Sequence, residues 1–340
     1  MILVTGGTGL VGSHLLLELL IAGEKVRAIH RKESDLQAVI KVFKYYVPQE
    51  EAAFLFDQIL WTEASITDIP SLTNAFSGVS RVYHCAALVS FNSKDTAALR
   101  KINIEGTANI VNLCIAYKVE KLCYISSIAT MDAGIGQKFI TEDFTWYPEK
   151  DHSEYSISKH GAEIEVWRAS QEGIPVVILN PGVVLGPGFW NKGTGQIFKK
   201  VNDGLDYHFP KITGFVGVRD VAQIVVKAMN STIYNEQYIL VAENLSFREI
   251  FNFIAHNFGK KPPSRPLKPW MVFTGWIFQT VTSFLFGAKK QINKNDYKSL
   301  FQNAYYSNTK VIKDFKVEFQ PVKKVIEESV AHYKKERSIN

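Results

Sequence analysis

Residues 1–12 read Met1-Ile-Leu-Val-Thr5-Gly6-Gly7-Thr8-Gly9-Leu10-Val11-Gly12, an apolar run that ends in a glycine-rich turn. The run is rich in apolar and β-branched residues, as expected of a buried strand. Leucines then recur at helical spacing between Ser13 and Ala22. A strand, a glycine turn and a helix in this order form the context that the dinucleotide-binding fingerprint requires. These residues therefore predict the first unit of a dinucleotide-binding α/β fold.

The three spaced glycines have separate roles in this fingerprint. We expect Gly6 to permit the tight turn, Gly9 to let the backbone approach the pyrophosphate, and Gly12 to let the helix pack closely on the strand. The pyrophosphate would bind the free N–H groups at the start of the helix, where Leu10 and Val11 lie.

The end of the second predicted strand bears on the choice of cofactor. Residues 25–29 run into His30, Arg31 and Lys32, about where NAD-preferring folds place an Asp or Glu for the ribose hydroxyls. A carboxylate there would repel a 2′-phosphate, whereas Arg31 would pair with it in bidentate fashion. Acidic residues follow at 33 and 35, so a solvated charge cluster is the alternative. We expect NADP(H) to be preferred, with NAD(H) as the alternative cofactor.

Composition narrows the class of protein. The chain has 340 residues, of which 46% are hydrophobic, enough for one large α/β core and a smaller second region. Its net charge is +6 without a dense basic stripe carrying interleaved aromatics, which argues against nucleic acid as a partner. Cys85, Cys114 and Cys123 lack metal-ligand spacing, so we expect buried free thiols and no metal site. The chain opens directly on a core strand and shows no signal-peptide pattern, which favours the cytoplasm.

Strand and helix patterns alternate along the first half of the chain. The predicted strands are 2–5, 26–30, 59–63, 81–86, 121–126 and 176–179, with 237–241 later. The predicted helices are 13–22, 34–46, 71–76, 99–117 and 155–172, with 246–258 later. This alternation is typical of a Rossmann-type doubly wound parallel sheet. We assign residues 1–185 to the dinucleotide-binding domain, whose core also receives parts of 215–242. Residues 186–340 would form mainly a smaller C-terminal substrate-binding or lid region.

The most apolar segment is 270–286, in which five large apolar side chains are spaced like one helix face. A membrane span needs about 20 apolar residues, and this run is slightly short and interrupted by polar residues. Three interpretations stay open: a buried helix, a lid over a hydrophobic substrate, or an interfacial anchor that gives weak membrane-surface contact.

Tyr155 and Lys159 lie four residues apart and so share one face of a predicted helix. A nearby ammonium favours the phenolate and can lower the pKa of a tyrosine toward working pH. The pair is therefore a candidate proton donor and acceptor for an alcohol or a carbonyl. Solvated surface neighbours are the alternative.

Further motifs appear in a recognisable order along the chain. They are Tyr83-His-Cys-Ala-Ala87, Asn103-Ile-Glu-Gly-Thr107, Tyr124-Ile-Ser-Ser127, Asn180-Pro-Gly-Val-Val-Leu-Gly-Pro187, Phe215-Val-Gly-Val-Arg-Asp-Val221 and Tyr306-Ser-Asn-Thr-Lys310. With the glycine turn and the Tyr155/Lys159 pair, the chain resembles the extended short-chain dehydrogenases/reductases of the NAD-dependent epimerase/dehydratase superfamily. Within them it is most similar to the dihydroflavonol 4-reductase-like branch. The resemblance runs from Val4 to a last predicted helix at 322–333.

The resemblance implies roles at the matching positions. Tyr155 would be the general acid in carbonyl reduction, and Lys159 would hold the ribose hydroxyls and lower the pKa of the tyrosine. Ser127 would hydrogen-bond the substrate oxygen, with a helix cap as the alternative. Asn103 would order a proton relay or the nicotinamide ribose, with a turn or cap as the alternative.

Backbone positions near the cofactor are implied in the same way. Ala86 and Ala87 would pass beneath it, and Pro181, Gly182 and Val183 would shape the nicotinamide pocket. Two positions depart from the usual pattern. Ser65 stands where many relatives carry an Asp for the adenine, so adenine recognition would rest on Ser65 and the backbone of Ile66. Asn180 stands where an arginine is often seen.

Four functions compete. The first is an NADP(H)-dependent ketone or aldehyde reductase, or the reverse alcohol dehydrogenase. The second is a sugar-nucleotide epimerase or dehydratase, but Ile128-Ala-Thr130 follows Ser127 where dehydratases need an Asp-Glu pair, and Thr213 and Gly214 replace a diphosphate-binding arginine. The third is a 3β-hydroxysteroid dehydrogenase-like enzyme at a membrane surface, and the fourth is a non-catalytic cofactor sensor. We favour the first.

The expected partners are a small carbonyl or alcohol substrate and a second copy of the chain. Ser90, Phe91, Phe189 and Trp190 are the candidate substrate-binding residues beside Ser127. By the resemblance, a homodimer would form through the helices at 99–117 and 155–172.

Overall fold

A computed structural model describes residues 1–134, 136–144, 146–271 and 301–338. Its strands are β1 (Ile2–Thr5), β2 (Val26–His30), β3 (Leu60–Glu63), β4 (Arg81–His84), β5 (Lys121–Ile125), β6 (Val176–Pro181), β7 (Val183–Leu185), β8 (Tyr207–His208), β9 (Ile212–Gly217), β10 (Glu236–Leu240), β11 (Glu243–Ser246) and β12 (Arg265–Pro266). Its α-helices are α1 (Leu10–Ile21), α2 (Gln37–Phe43), α3 (Gln49–Asp57), α4 (Ile69–Ala75), α5 (Thr96–Leu99), α6 (Gly106–Ala116), α7 (Glu154–Gln171), α8 (Gly195–Asn202), α9 (Val218–Asn230), α10 (Phe247–Phe258), α11 (Thr309–Phe315) and α12 (Val322–Ser338).

Seven parallel strands form the central sheet, in the order β10-β6-β5-β4-β1-β2-β3. One apolar layer joins α1 and α9 to one face of this sheet, through side chains such as Leu16 and Val225. The other layer joins α4, α6 and α7 to the opposite face, through side chains such as Ile110 and Val166. The fold is therefore a doubly wound α/β sheet, which confirms the predicted class. Its strand order reverses between β1 and β4, where ligands bind in such sheets.

A smaller mixed sheet extends the fold beyond β6. Strand β9 lies between β7, to which it is parallel, and β11, to which it is antiparallel. Helices α8, α10 and α12 contribute the apolar side chains that cover this region, among them Phe198, Ile254 and Ile326. The chain returns to the central sheet with α9 and β10. The boundaries assigned to the two domains stay a prediction.

Several element boundaries differ from those predicted. The helix predicted at 34–46 is confined to α2, because Ser34 forms a turn in which its hydroxyl accepts the Arg31 N–H. Helix α3 was not predicted, although Pro48 and two acidic residues at its start are ordinary signals of a helix N-terminus. The helix predicted at 99–117 begins earlier, with α5, and passes through a π-helical turn at Arg100–Glu105 before α6.

The membrane contact predicted for residues 270–286 falls almost wholly outside the described residues. Only Trp270 and Met271 of this segment are described, and Trp270 is exposed. Across the ranges given above, none of the helices is long and apolar enough to cross a membrane.

Candidate active site

In the glycine turn between β1 and α1, nearby backbone atoms leave no room for a side chain at two of the three glycines. Gly6 has a φ of +69°, and a Cβ there would lie 2.6 Å from the backbone N of Ala86. A Cβ on Gly12 would lie 2.1 Å from the carbonyl oxygen of Gly6. A Cβ on Gly9 would meet the Gly6 carbonyl oxygen at 3.4 Å, an ordinary contact, so the protein leaves space beside Gly9. The first and third glycines are thus required by the fold, whereas the second leaves space for something outside the chain.

Helix α1 starts in a way that suits an anion. Its N-cap is Gly9, and no side chain caps the helix. The first N–H groups of the helix, around Leu10 and Val11, are thus left to an outside acceptor, and the positive end of the helix favours a phosphate.

A cleft of about 650 Å³ opens at the switch point of the sheet. Its wall contains Gly6, Gly9, Arg31, Ser65, Ile66, Ala86 and Ala87, together with Lys41, Tyr45, residues 188–192 and Glu336. Seven predicted cofactor-binding residues therefore meet in one cleft.

Arg31 lies at the cleft but is not alone there. Its guanidinium is exposed and pairs with the Glu33 carboxylate at 3.3 Å. Lys41 and Lys192 also line the cleft, as does Asp35. A 2′-phosphate would meet these cations, but it would have to compete with Glu33 for Arg31.

Phe189 and Trp190, predicted to bind substrate, lie in the wall of this same cleft, alongside the glycine turn. Phe189 has a φ of +55°, a conformation that is rare for a bulky residue. The Trp190 Nε1–H donates to Glu336 Oε2 at 2.6 Å, and the Tyr45 hydroxyl donates to the same oxygen at 2.8 Å. The last helix, α12, thus fastens the loop after β7 over the cleft. Sequence reasoning missed Tyr45 and Glu336, and nothing local in the sequence marks them.

Ser127 and Tyr155 come together at the carboxyl end of β5. Ser127 follows this strand by two residues, and Tyr155 lies in the first turn of α7, whose N-cap is Ser153. The Ser127 side chain lies close enough to the Tyr155 phenol to influence its pKa. It also accepts the Ala129 N–H at 3.2 Å, so it caps the short 3₁₀ turn as well. The Phe91 ring lies edge-on against Tyr155, with 5.6 Å between ring centroids.

The pKa of Tyr155 is raised, mainly by burial, and the nearby Ser127 side chain opposes that rise. The sequence had assigned the lowering influence to Lys159. Lys159 instead directs its Nζ to the Tyr124 hydroxyl at 2.5 Å and to the Ile125 carbonyl oxygen at 2.8 Å. Burial lowers the pKa of Lys159 to about 7, and the charge of Glu163 opposes this shift.

Asn103 is fully engaged within the protein. Its Oδ1 accepts the Leu88 N–H at 2.8 Å, and its Nδ2 donates to the Leu88 carbonyl oxygen and to Ser158 Oγ. The π-helical turn that carries Asn103 aims it at the loop after β4. These contacts tie that loop to α7, and the relay or ribose contact of Asn103 stays a prediction.

Ser90 and Pro181–Val183 also have structural partners. The Ser90 hydroxyl donates to Asp95 Oδ2 at 2.6 Å and accepts the Asn92 N–H, which are contacts of a local turn; its contact with substrate stays a prediction. Pro181–Val183 is where the chain leaves β6 for β7. A Cβ on Gly182 would lie 2.5 Å from the Gly214 carbonyl oxygen. This junction therefore joins the two sheets.

A sequence model of the NAD dependent epimerase/dehydratase family matches residues 2–240. The chain belongs to the NAD dependent epimerase/dehydratase family. The family implies a nicotinamide dinucleotide as cofactor, and the described residues fit one: an uncapped helix start, an open position at Gly9, and a cleft that reaches Ser65. Among the described residues, no group of three His, Cys, Asp or Glu side chains could hold a metal ion.

Relatives of this family member include reductases. A putative dihydroflavonol 4-reductase of Synechocystis is 28% identical, covering 96% of this chain and 92% of the relative. Sterol demethylase protein B of Methylococcus capsulatus is 28% identical, covering 78% of this chain and 77% of the relative. The solved structure of gox2253 superposes with a TM-score of 0.81 at 25% identity, over 99% of this chain and 98% of that one. The similarity thus covers both the central sheet and the smaller region.

Proposed function

We propose that this protein is an NADP(H)-dependent oxidoreductase that reduces a ketone or aldehyde, or oxidises the corresponding alcohol. The observation that carries the proposal is the proximity of the Ser127 side chain to the buried phenol of Tyr155, at the carboxyl edge of the sheet that holds the cofactor cleft. Relatives with high coverage support the reductase class, since one of them is a putative dihydroflavonol 4-reductase.

Tyr155, Ser127 and Lys159 each have a separate role in carbonyl reduction. The bound nicotinamide supplies the hydride that adds to the carbonyl carbon. Tyr155 gives its proton to the carbonyl oxygen, and burial suits this role because the raised pKa keeps the phenol protonated before the reaction. Ser127 donates a hydrogen bond to the same oxygen as negative charge develops on it. Lys159 would hold the ribose hydroxyls beneath the nicotinamide.

Two observations weigh against a sugar-nucleotide dehydratase or epimerase. Ile128 and Ala129 stand directly after Ser127, where a dehydratase would need an Asp-Glu pair, and Ile128 is buried. Gly214 stands where a diphosphate-binding arginine would be expected, and a Cβ there would already lie 2.4 Å from the Val241 side chain. Neither position can supply the missing chemistry.

The side chains near Tyr155 favour an apolar substrate. Val89 and Phe91 are both exposed, with Phe91 against the Tyr155 ring. A sterol demethylase among the relatives agrees with a bulky apolar substrate, so a steroid-type hydroxy-dehydrogenase is the second candidate function.

A panel of carbonyl compounds tests the proposal. The purified protein is mixed with NADPH and with aromatic aldehydes, alkyl ketones, 3-ketosteroids or a UDP-hexose, and loss of the reduced nucleotide and interconversion of the sugar are followed. We expect nucleotide oxidation with at least one apolar carbonyl compound and none with the sugar nucleotide. Epimerisation of the sugar without net oxidation would contradict the proposal.

Replacement of Arg31 by alanine tests the cofactor preference. A charged hydrogen bond to phosphate contributes about 1.5–3 kcal/mol, so Arg31→Ala should weaken NADPH binding by about 10–100-fold and NADH binding much less. Glu33→Gln is the matched control, because it frees Arg31 from its carboxylate partner and should tighten NADPH binding. Isothermal titration of the wild type and both variants measures the dissociation constants for NADPH and NADH. If Arg31→Ala weakened NADPH and NADH binding equally, Arg31 would not bind the 2′-phosphate.

The proposed homodimer would use the outer surfaces of α6 and α7. Arg168 on α7 donates to Asn112 on α6 at 2.8 Å, and Ile164 is 56% exposed beside them. An exposed isoleucine is compatible with a helix-to-helix contact between copies. Ile164→Glu should convert a dimer to a monomer in sedimentation velocity while leaving the unfolding midpoint nearly unchanged. A monomeric wild-type protein would refute the proposed assembly.

A further inference from the structure

A buried carboxylate lies behind the acid/base pair. Glu163 is 2% exposed and sits on α7, one turn beyond Lys159. Its Oε1 accepts from Asn180 Nδ2 at 2.7 Å and from Gln237 Nε2 at 3.3 Å, and the Thr130 hydroxyl lies 2.9 Å from the same oxygen. Several donors on one oxygen are the environment of an ionised carboxylate. These donors are neutral. His160 Nδ1 lies 4.0 Å from the other carboxylate oxygen, Oε2, and burial lowers the pKa of His160, which favours its uncharged ring.

Asn180 connects this carboxylate to Ser127. Its Nδ2 also donates to the Ser127 carbonyl oxygen at 3.0 Å, and its Oδ1 accepts from Gln237 at 2.9 Å. Thr130 Oγ1 lies 2.9 Å from the Ser127 carbonyl oxygen as well. One hydrogen-bonded unit therefore joins Glu163 to the backbone that positions the Ser127 hydroxyl.

Few groups around Lys159 stabilise its positive charge. It is 1% exposed, and its hydrogen-bond acceptors, Tyr124 and the Ile125 carbonyl, are neutral. The titratable groups that face it are Glu163 on its own helix, His84 and Cys85 at the end of β4, and Tyr124 on β5.

Three of these four groups are neutral at physiological pH. Burial lowers the pKa of His84 to about 3 and raises the pKa of Cys85 to about 12. Burial also raises the pKa of Tyr124. Burial also raises the pKa of Glu163, and its hydrogen bonds with Asn180 and Thr130 and the charge of Lys159 oppose that rise. Within the described chain, Glu163 is therefore the acidic group facing Lys159 whose contacts favour its charged form.

The residue at position 180 decides how far this charge acts on Lys159. An arginine at this position would give Glu163 a cation of its own. Asn180 satisfies the carboxylate by a hydrogen bond without neutralising it. The negative charge then remains effective at Lys159, one helical turn away.

We propose that Glu163 is a positioning residue of the reaction centre: its buried charge holds Lys159 as an ammonium, and through Asn180 it fixes the backbone of Ser127. The inference rests on the proposed function, because it assigns Lys159 to the cofactor ribose and Ser127 to the substrate oxygen. Asn180 is then the substitution that makes the charge of Glu163 available.

Glu163→Gln tests this assignment by removing the charge while keeping the shape. Without the carboxylate the pKa of Lys159 falls below its present value of about 7, so the ammonium is lost at a lower pH. An opposite charge at this range is worth about one to three pKa units. The alkaline limb of the pH–rate profile should therefore move down by about one pH unit or more. The pH dependence of the NADPH dissociation constant, followed by nucleotide fluorescence, should move in the same direction.

Two control variants separate charge from packing. Thr130→Val removes a hydroxyl beside Glu163 but leaves its charge, and Glu163→Asp keeps the charge on a shorter side chain. Both should leave the alkaline limb in place even where they lower the rate. If Glu163→Gln does not fold, Asn180→Arg gives the same test, because the guanidinium neutralises the carboxylate, and the limb must again move down.

The outcomes are distinct from those of the proposed function. Wild-type pH dependence of both rate and NADPH binding in Glu163→Gln overturns the inference, as does an equal shift in Thr130→Val. If no carbonyl compound is reduced by the wild-type protein, the proposed function fails. NADPH binding by the wild type and by Glu163→Gln still reports the effect of Glu163 on Lys159 in that case.

Discussion

Tyr155→Phe should lower NADPH-dependent carbonyl reduction by about 10²–10⁴-fold, the usual contribution of a positioned proton donor. The phenyl ring keeps the packing of the buried tyrosine against Phe91, so cofactor binding should stay close to that of the wild type.

Steady-state rates with the best compound of the carbonyl panel measure this effect, and nucleotide titration checks that the cofactor site is intact. Tyr83→Phe is the matched control. Tyr83 is also fully buried, on β4, and its hydroxyl has no hydrogen-bond partner among the described residues. Its loss should leave turnover unchanged. Tyr155→Phe that turns over at the wild-type rate would show that another group donates the proton.

Gly12→Ala should abolish tight cofactor binding and cost about 3 kcal/mol of folding stability, as expected of an overpacked site that cannot relax. The added Cβ would lie 2.1 Å from the Gly6 carbonyl oxygen and 2.9 Å from the Gly7 Cα. Both are backbone atoms of the turn, so α1 must move away from β1. The helix start and the turn then no longer present their N–H groups together.

Gly9→Ala separates the loss of cofactor binding from the loss of folding stability. Its Cβ meets only an ordinary contact at 3.4 Å, and the residue has an extended backbone that alanine adopts readily. Folding stability should stay within about 0.5 kcal/mol of the wild type, whereas NADPH binding should be lost because the methyl group occupies the phosphate approach. Urea unfolding and nucleotide titration measure the two effects. In Gly23→Ala, where the space is open but φ is +75°, only stability should fall.

The sequence predicted the fold well because its signals are local. The glycine turn, the apolar strands and the helical periods each act over a few residues, and together they define the doubly wound sheet. Strands β7, β9 and β11 were not predicted, because short strands at a sheet junction depend on pairing between distant segments. The helix α3 was missed although its start carried ordinary signals.

The candidate site was predictable only in part. Ser127 and Tyr155 could be placed together only through the family resemblance, because the two residues are far apart in sequence. The partners of Lys159 and Asn103 could not, since they depend on how α6 and α7 lie against β5. Trp190 and Glu336 are 146 positions apart, and no sequence pattern links them. Their contact holds the loop with Phe189 and Trp190 in the wall of the cleft.

The contact between Tyr45 and Glu336 also bears on the order of synthesis. These residues are 291 positions apart, yet both border the cleft whose floor is the turn at Gly6. During synthesis, the turn at Gly6 is made first and the loop at 188–192 later. That loop can be held over the cleft only after α12, which carries Glu336, has been made. A nucleotide adds its binding free energy only to the state that it binds. The part of that free energy that depends on the closed loop is therefore gained only after α12 has been made.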